Sequence, residues 1–249
     1  MTRWVTSISW ADAPHLPLVE RERMYLAYPA HEREARSKGI PSIGSGKIYP
    51  FPEDDISCHP FRIPTDWPRA YGLDVGWNKT AAIWGALDET TDTIYIYNEY
   101  YCGQQLPLLH AAAISRLGTW IPGAIDPASN RGSERDGKRL LAEYKQHGLN
   151  LYLANNSVEA GLERCINALG MQKVKVFTTC TNFFNEFRVY HRDEHGRVVR
   201  KNNHLMDAFR YLLMTGMSKA MCKPEPEDEL AAKAARMWRA VSKNEITGY

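Results

Sequence analysis

Three aspartates stand where a carboxylate needs a reason. Asp74 lies inside AYGLDVGW, a β-rich run, where an unpaired buried carboxylate costs several kcal/mol or takes up a proton. Asp126 closes a second strand, in GAIDPAS, at the carboxyl end where open α/β sheets gather ligands. Asp207 sits in NHLMDAFRYLLM, where it and Arg210 are the only formally charged residues between His204 and Met217, so the helix is predicted to be largely buried. Singly, each has a plainer reading: an edge-strand acid facing water, an Asp-Pro turn opener, and an internal ion pair or solvated stripe with Arg210 and Tyr211. Together they are more informative, because two adjacent strands and a helix packed on their sheet can aim three carboxylates at one spot. Converging carboxylates call for cations, and such oxygen ligands suit Mg²⁺ or Mn²⁺ and not zinc.

The elements that must position them follow from the pattern. AYGLDVGW, TAAIWGALD and TIYIYNEYY are three β-rich runs separated by turn clusters, which predicts an antiparallel meander. After Leu106 the chain alternates: helix 108–117, strand 123–126, helix 133–147, strand 149–154, helix 158–169, the order that builds parallel strands. A strand at 174–177, a helix at 181–187, a hairpin at 189–200 turning at Glu194, His195 and Gly196, and a helix at 203–217 complete the prediction. The expected fold class is α/β, a mixed sheet flanked by helices.

Residues 1–66, rich in Pro and charge with a helical stretch at 18–38, show no strand ladder and read as a piece of something else. Residues 223–228 read as a linker, and 229–241 as an amphipathic helix with Leu230, Ala234, Met237, Trp238 and Val241 on one side. The sequence, 249 residues with 44% hydrophobic and 24% charged, has room for one ordinary α/β domain plus extra material. No apolar run approaches the roughly 20 residues a membrane helix needs, and residues 1–10 lack the features of a signal peptide, so a cytosolic protein is expected. Five scattered cysteines without a CxxC pair argue against a disulfide framework or a zinc site and are expected to be free thiols. A net charge of +2 is too small to announce a nucleic-acid partner by itself.

The residues around the acids resemble a known family. GLDVGWNKTAAIW, AIDPAS and EFRVYHRDEHGRVVRKNNHLMDAFRY are similar to the ribonuclease H-like nuclease domain of the large terminase subunit of tailed bacteriophages. WADAPHL and GIPSIGSGKIYPF resemble the end of the terminase ATPase domain and its linker. GSGK at 44–47 is no P-loop, since the required glycine falls on Pro41 and the Ser/Thr after the lysine is Ile48. The resemblance implies three regions: 1–66 as ATPase end and linker, 67–218 as the nuclease domain with its hairpin at 189–200, and 219–249 as linker and tail helix. The chain is then either a fragment of a longer motor protein or a separately encoded nuclease.

Carried over residue by residue, the family's metal-binding acids fall on Asp74, Asp126 and Asp207. The implied activity is cutting of concatemeric double-stranded viral DNA during genome packaging, with two Mg²⁺ or Mn²⁺ ions roughly 4 Å apart clamping the phosphate and Asp74 bridging them. Double-stranded DNA, the motor's ATPase domain, the small terminase subunit and the portal protein are the implied partners, in the host cytoplasm and without a membrane. His204 is a candidate for orienting a ligand or contacting a phosphate, and Lys79 and Thr80 are candidate phosphate neighbours. Glu99 and Asp136 are candidate outer acids. Residues 188–201 form the most basic local stretch, and Arg188, Arg192, Arg197, Arg200 and Lys201, with Lys79, are the candidate DNA contacts. The spacing of His191 and His195 would also suit a metal, without further ligands nearby. Two alternatives stand beside this reading: a Holliday-junction resolvase or transposase of the same superfold, and a noncatalytic module docking DNA or the portal.

Overall fold

The computed structural model describes residues 9–28, 37–38, 46–130, 140–193 and 195–225. Its sheet has seven strands: β1 (Ser57–Cys58), β2 (Arg69–Asp74), β3 (Thr80–Asp88), β4 (Thr93–Cys102), β5 (Gly123–Ile125), β6 (Leu151–Leu153) and β7 (Val174–Phe177). They lie in the order β1-β7-β4-β3-β2-β5-β6. β2, β3 and β4 pair antiparallel as the expected meander, whereas β5 runs parallel to β2, β6 to β5, and β7 to β4. The helices are α1 (Leu18–Ala27), α2 (Glu53–Ile56), α3 (Pro107–Ser115), α4 (Leu140–Gln146), α5 (Val158–Gly170), α6 (Thr181–Val189) and α7 (His204–Tyr211). α7 continues into a π-helical turn, Leu212–Gly216, and a 3-10 turn, Met217–Lys219.

Strand alternation divides the core between two faces. Ala70, Ala81 and Ile83 pack with Leu162 and Cys165 of α5, Phe183 and Phe187 of α6, and Leu205 and Phe209 of α7. Tyr71, Leu73, Ala82 and Trp84 face the other way, onto Ala111 and Ile114 of α3 and Tyr144 of α4. The middle of β2 and of β3 is buried on both faces, as expected for central strands covered by helices on either side. By the same alternation, Gly72 and Asp74 belong to the α7 face. A Cβ built on Gly72 would lie 1.9 Å from the backbone oxygen of Ala208, so α7 seats directly against the β2 backbone where only glycine leaves room.

The segment before residue 66 enters this core. Ile48, Tyr49, Ile56 and Ile63 are buried with the α5–α7 face, and Tyr49, fully buried, stacks on Phe187 and meets Tyr190 and Phe209. Ser57 and Cys58 add an edge strand beside Val176 and Phe177. Contrary to the reading of 1–66 as foreign material, residues 48–63 therefore share the domain's packing. Their apolar residues are irregularly spaced among prolines and so carry no periodic signal. Downstream, Met221 bridges back to Arg69. The expected helix at 133–147 is described only as α4, and the expected tail helix at 229–241 lies outside the described residues. The expected helix at 18–38 is described as α1, with residues 29–36 outside.

The expected hairpin is minimal. Arg192 pairs with Val198 in a single antiparallel bridge, and the Asp193 carboxylate accepts the backbone N–H groups of His195 and Arg197. Gly196, at φ +75°, supplies the left-handed residue the turn needs.

Candidate active site

The three aspartates border one cleft of about 980 Å³ at the carboxyl ends of β2 and β5 and the start of α7. Asp74 ends β2. Asp126 follows β5 directly, and its backbone N–H donates to the Leu73 carbonyl, fixing the two strand ends side by side. Asp207, in the first turn of α7, comes over them because α7 lies on the glycine of β2. Two strand ends and one packed helix thus deliver the acids, as their sequence context suggested.

Burial is the main influence on Asp74, raising its carboxyl to about 6. The hydrogen bond with His204 pulls it down, while the charges of Asp207 and Asp126 push it up. His204 Nδ1 lies 2.9 Å from Asp74 Oδ2, and this bond raises the imidazole's own pKa against the opposing effect of burial. Asp207 is also held above its ordinary value by burial, opposed by Arg210. Asp207 Oδ1 accepts Arg210 Nη2 at 2.8 Å and its Oδ2 accepts Asn203 Nδ2 at 2.6 Å. The Asp207–Arg210 ion pair and the shared cleft therefore coexist. One Asp126 oxygen accepts the Ala128 N–H at 3.1 Å.

The donor set is three carboxylates on one cleft, where the charges of Asp207 and Asp126 add to the burial that raises Asp74 and the charge of Asp126 adds to the burial that raises Asp207, and it has the chemistry that hard divalent cations satisfy. Among the described residues, no three His, Cys, Asp or Glu side chains are grouped closely enough to cage a single ion.

The other candidates divide. Arg197 and Arg200 line the cleft, as does His204. Arg188 does not: it clasps Glu53 through Nε at 2.5 Å and Nη2 at 2.6 Å, joining α6 to α2. Arg192 likewise grips Glu159 of α5, at 2.6 and 3.0 Å, and the Gly196 carbonyl. Lys201 is exposed next to Arg200. Lys79 lies over the Tyr101 ring, 4.6 Å from its centroid, and is not among the residues lining the cleft. Thr80 is buried and donates to the Gly76 carbonyl, which removes it as a phosphate neighbour. Glu99 is engaged in capping α6, accepting the backbone N–H groups of Asn182 and Phe183 and the Asn182 side chain, all at 2.8 Å. Asp136 lies outside the described residues. His191 bonds the Val189 carbonyl through its Nδ1, which does not support a metal pair with His195.

Three supporting residues escaped the sequence reading. Glu186, 3% exposed, accepts Tyr101 Oη at 2.8 Å and the Leu205 N–H at 2.6 Å, so a buried carboxylate caps the helix that carries His204 and Asp207. Its only signal is a charge at a position of α6 flanked by Phe183, Phe184 and Phe187. Asn156 accepts Arg210 Nη2 at 3.2 Å, and Asn203 donates to Asp207; isolated asparagines near turns give no comparable signal.

A mixed sheet of this order, with acids at the ends of its first and fourth core strands and on the last helix, is the ribonuclease H-like fold. Residues 71–215 match the family model for the terminase RNaseH-like domain, and the chain belongs to that family. It is 33% identical over 217 residues to the large terminase subunit of Salmonella phage P22, a match covering 83% of this chain and 43% of that protein. The chain thus spans less than half the length of that relative. The solved nuclease domain of the P22 large terminase superposes with a TM-score of 0.65 at 31% identity, over 72% of this chain and 96% of that one. The large terminase nuclease of thermophilic phage G20c, solved with bound magnesium, shares the fold at 15% identity, with a TM-score of 0.50 over 70% of this chain and 99% of that one.

Proposed function

We propose that this chain is a metal-dependent endonuclease that cuts concatemeric double-stranded viral DNA during genome packaging. The observation carrying this reading is the meeting of Asp74, Asp126 and Asp207 at one cleft with Arg197 and Arg200 on its wall. Asp74, Asp126 and Asp207 would hold two Mg²⁺ or Mn²⁺ ions, which when bound neutralise the phosphate and activate water. The magnesium in the G20c nuclease supports that choice of ion.

The protein's own groups have separable tasks. Arg197 and Arg200, in no ion pair with a described residue, hold the DNA backbone by its phosphates and carry no sequence information. Lys201 extends this basic edge. His204 orients Asp74 and keeps a proton close to the acid cluster. The catalytic unit runs from about residue 46 to residue 221, supported by the burial of Tyr49 and by the bridge between Arg69 and Met221. The motor's ATPase domain would be one partner, a reading supported by the length of the P22 large subunit beyond the matched 43%, and the small terminase subunit and the portal, in the host cytoplasm, would be the others. Plasmid cleavage with Mn²⁺, Mg²⁺ or chelator, beside Asp126→Ala, tests the proposal. Cleavage only with metal, absent in the variant, is expected; metal-independent cutting, or full activity in the variant, would refute it.

A further inference from the structure

The surroundings of Asp207 are built at a cost that ordinary folding does not require. Arg210 is 2% exposed, yet its Nε and Nη1 have no hydrogen-bond partner among the described residues; only Nη2 is used, toward Asp207 and Asn156. Burying a guanidinium with two of its nitrogens unpaired by protein groups is unfavourable. The same side chain occupies the place of a missing Cβ, since a Cβ on Gly161 of α5 would lie 2.6 Å from Arg210 Cγ and Cδ. Glycine is a poor residue for a helix interior, so α5 also concedes stability to seat this arginine. Asn203 departs from its local role in a similar way. It occupies the N-cap position of α7 but makes no side-chain cap bond; its amide donates to Asp207 Oδ2 instead, and Glu186 caps the Leu205 N–H. Both oxygens of one cleft-lining acid are thus fixed by side chains diverted from more ordinary uses.

We propose that Asn203 and Arg210 are positioning residues, which together lock the Asp207 carboxylate in the orientation that receives a divalent cation. The inference rests on the metal-dependent reading of the cleft. Each carboxylate oxygen keeps a second lone pair when it accepts one N–H, so Asp207 can hold these donors and a cation at once. Outer-shell bonds of this type set ligand geometry, and their loss typically lowers metal affinity or activity about 10–100-fold. Asn156 extends the support by fixing the arginine from the β6–α5 connection.

The test is a titration of Mn²⁺ against melting temperature, for the parent, Asn203→Ala, Arg210→Gln and Arg210→Lys, with DNA binding measured in chelator. Asn203→Ala is expected to raise the Mn²⁺ concentration giving half the stabilisation by about tenfold or more, while leaving metal-free DNA binding unchanged. Arg210→Gln should do the same and Arg210→Lys should recover part of the loss. Because Arg210 is buried and its variants are at risk of misfolding, Asn203→Ala carries the test alone if needed. A lowered melting temperature in chelator with an unmoved Mn²⁺ midpoint would show a merely structural role and overturn the inference. A parent that Mn²⁺ does not stabilise would overturn both this inference and the metal-dependent reading; a responsive parent with an equally responsive Asn203→Ala would overturn this inference only.

Discussion

His204 Nδ1 and Asp74 Oδ2 are 2.9 Å apart across 130 residues of sequence, tying the first turn of α7 to the last residue of β2. The bond raises the imidazole's pKa, so a protonated His204 offsets part of the acids' charge when no cation is bound. A folded-state value above the unfolded one, about 6.5, gives stability that is full below pH 6.5 and lost as pH climbs through the raised value. His204→Ala should therefore be less stable than the parent at pH 5.5 in chelator, and the gap should close by pH 8.5. Urea melts at the two pH values measure it; a gap that widens with pH would contradict the sign.

The basic stretch at 188–201 divides into arginines that hold the protein together and arginines that face the cleft. Arg197→Ala with Arg200→Ala should weaken DNA binding at all sequences alike and lower the slope of log K against log salt by about 0.9 for each phosphate no longer neutralised. Arg188→Ala should leave that slope unchanged, because its guanidinium is committed to Glu53. Binding isotherms at a series of salt concentrations separate the two outcomes.

Gly72 sets the distance between sheet and helix. In Gly72→Ala the new methyl group would lie 1.9 Å from the Ala208 oxygen, a backbone atom that cannot swing aside, so α7 must move off β2. A loss of about 3 kcal/mol is expected, and cleavage should fall even under conditions where the variant stays folded, because Asp207 leaves with the helix. Denaturant melts paired with plasmid cleavage check both parts.

The central fold was legible because its signals are local. Three β-rich runs separated by turn clusters gave the meander, and the apolar run around Asp207 gave a buried helix. The placement of the acids was legible because a charge inside a β-rich run or an apolar helix is unusual and because Asp126 closes a strand at its carboxyl end. Glu186, Asn156 and Asn203 were not, since their meaning depends on partners brought close only by folding: Tyr101 is 85 residues from Glu186, and Arg210 is 54 from Asn156. The basic hairpin misled in part, because sequence counts charges without showing that Arg188 and Arg192 find Glu53 and Glu159.

Residues 48–63 are expected to be required for folding. Tyr49→Ala, which empties a fully buried aromatic site between Phe187, Tyr190 and Phe209, should cost about 3–5 kcal/mol. A chain beginning at Gly46 should fold and retain metal-dependent cutting, whereas one beginning at Glu53 should be severely destabilised. Circular dichroism melts of the two truncated chains decide the matter, and equal stability would show that the Tyr49 packing is dispensable.

Asp74 is where the charge crowding is best tested. Its carboxyl is raised to about 6, first by burial and then by the charges of Asp207 and Asp126, against the pull of His204. An acid with a folded-state value above its unfolded one favours the folded state most at low pH, and that advantage is lost as pH rises from about 4 through about 6. Asp74→Asn removes the ionisation while nearly keeping the shape, and its amide oxygen can still accept from His204. The metal-free variant should therefore match or exceed the parent by about 1 kcal/mol at pH 7 and lack the parent's decline between pH 4 and 6 that arises from this group. Cleavage should disappear, and Mn²⁺ should raise the melting temperature of the parent far more than that of the variant, because the variant has lost an anionic ligand. Melts in chelator and in Mn²⁺ from pH 4 to pH 8 give both readings. A clearly destabilised metal-free variant would show that the ionised carboxylate supports the fold, and a variant that still cuts DNA would take Asp74 out of the catalytic group.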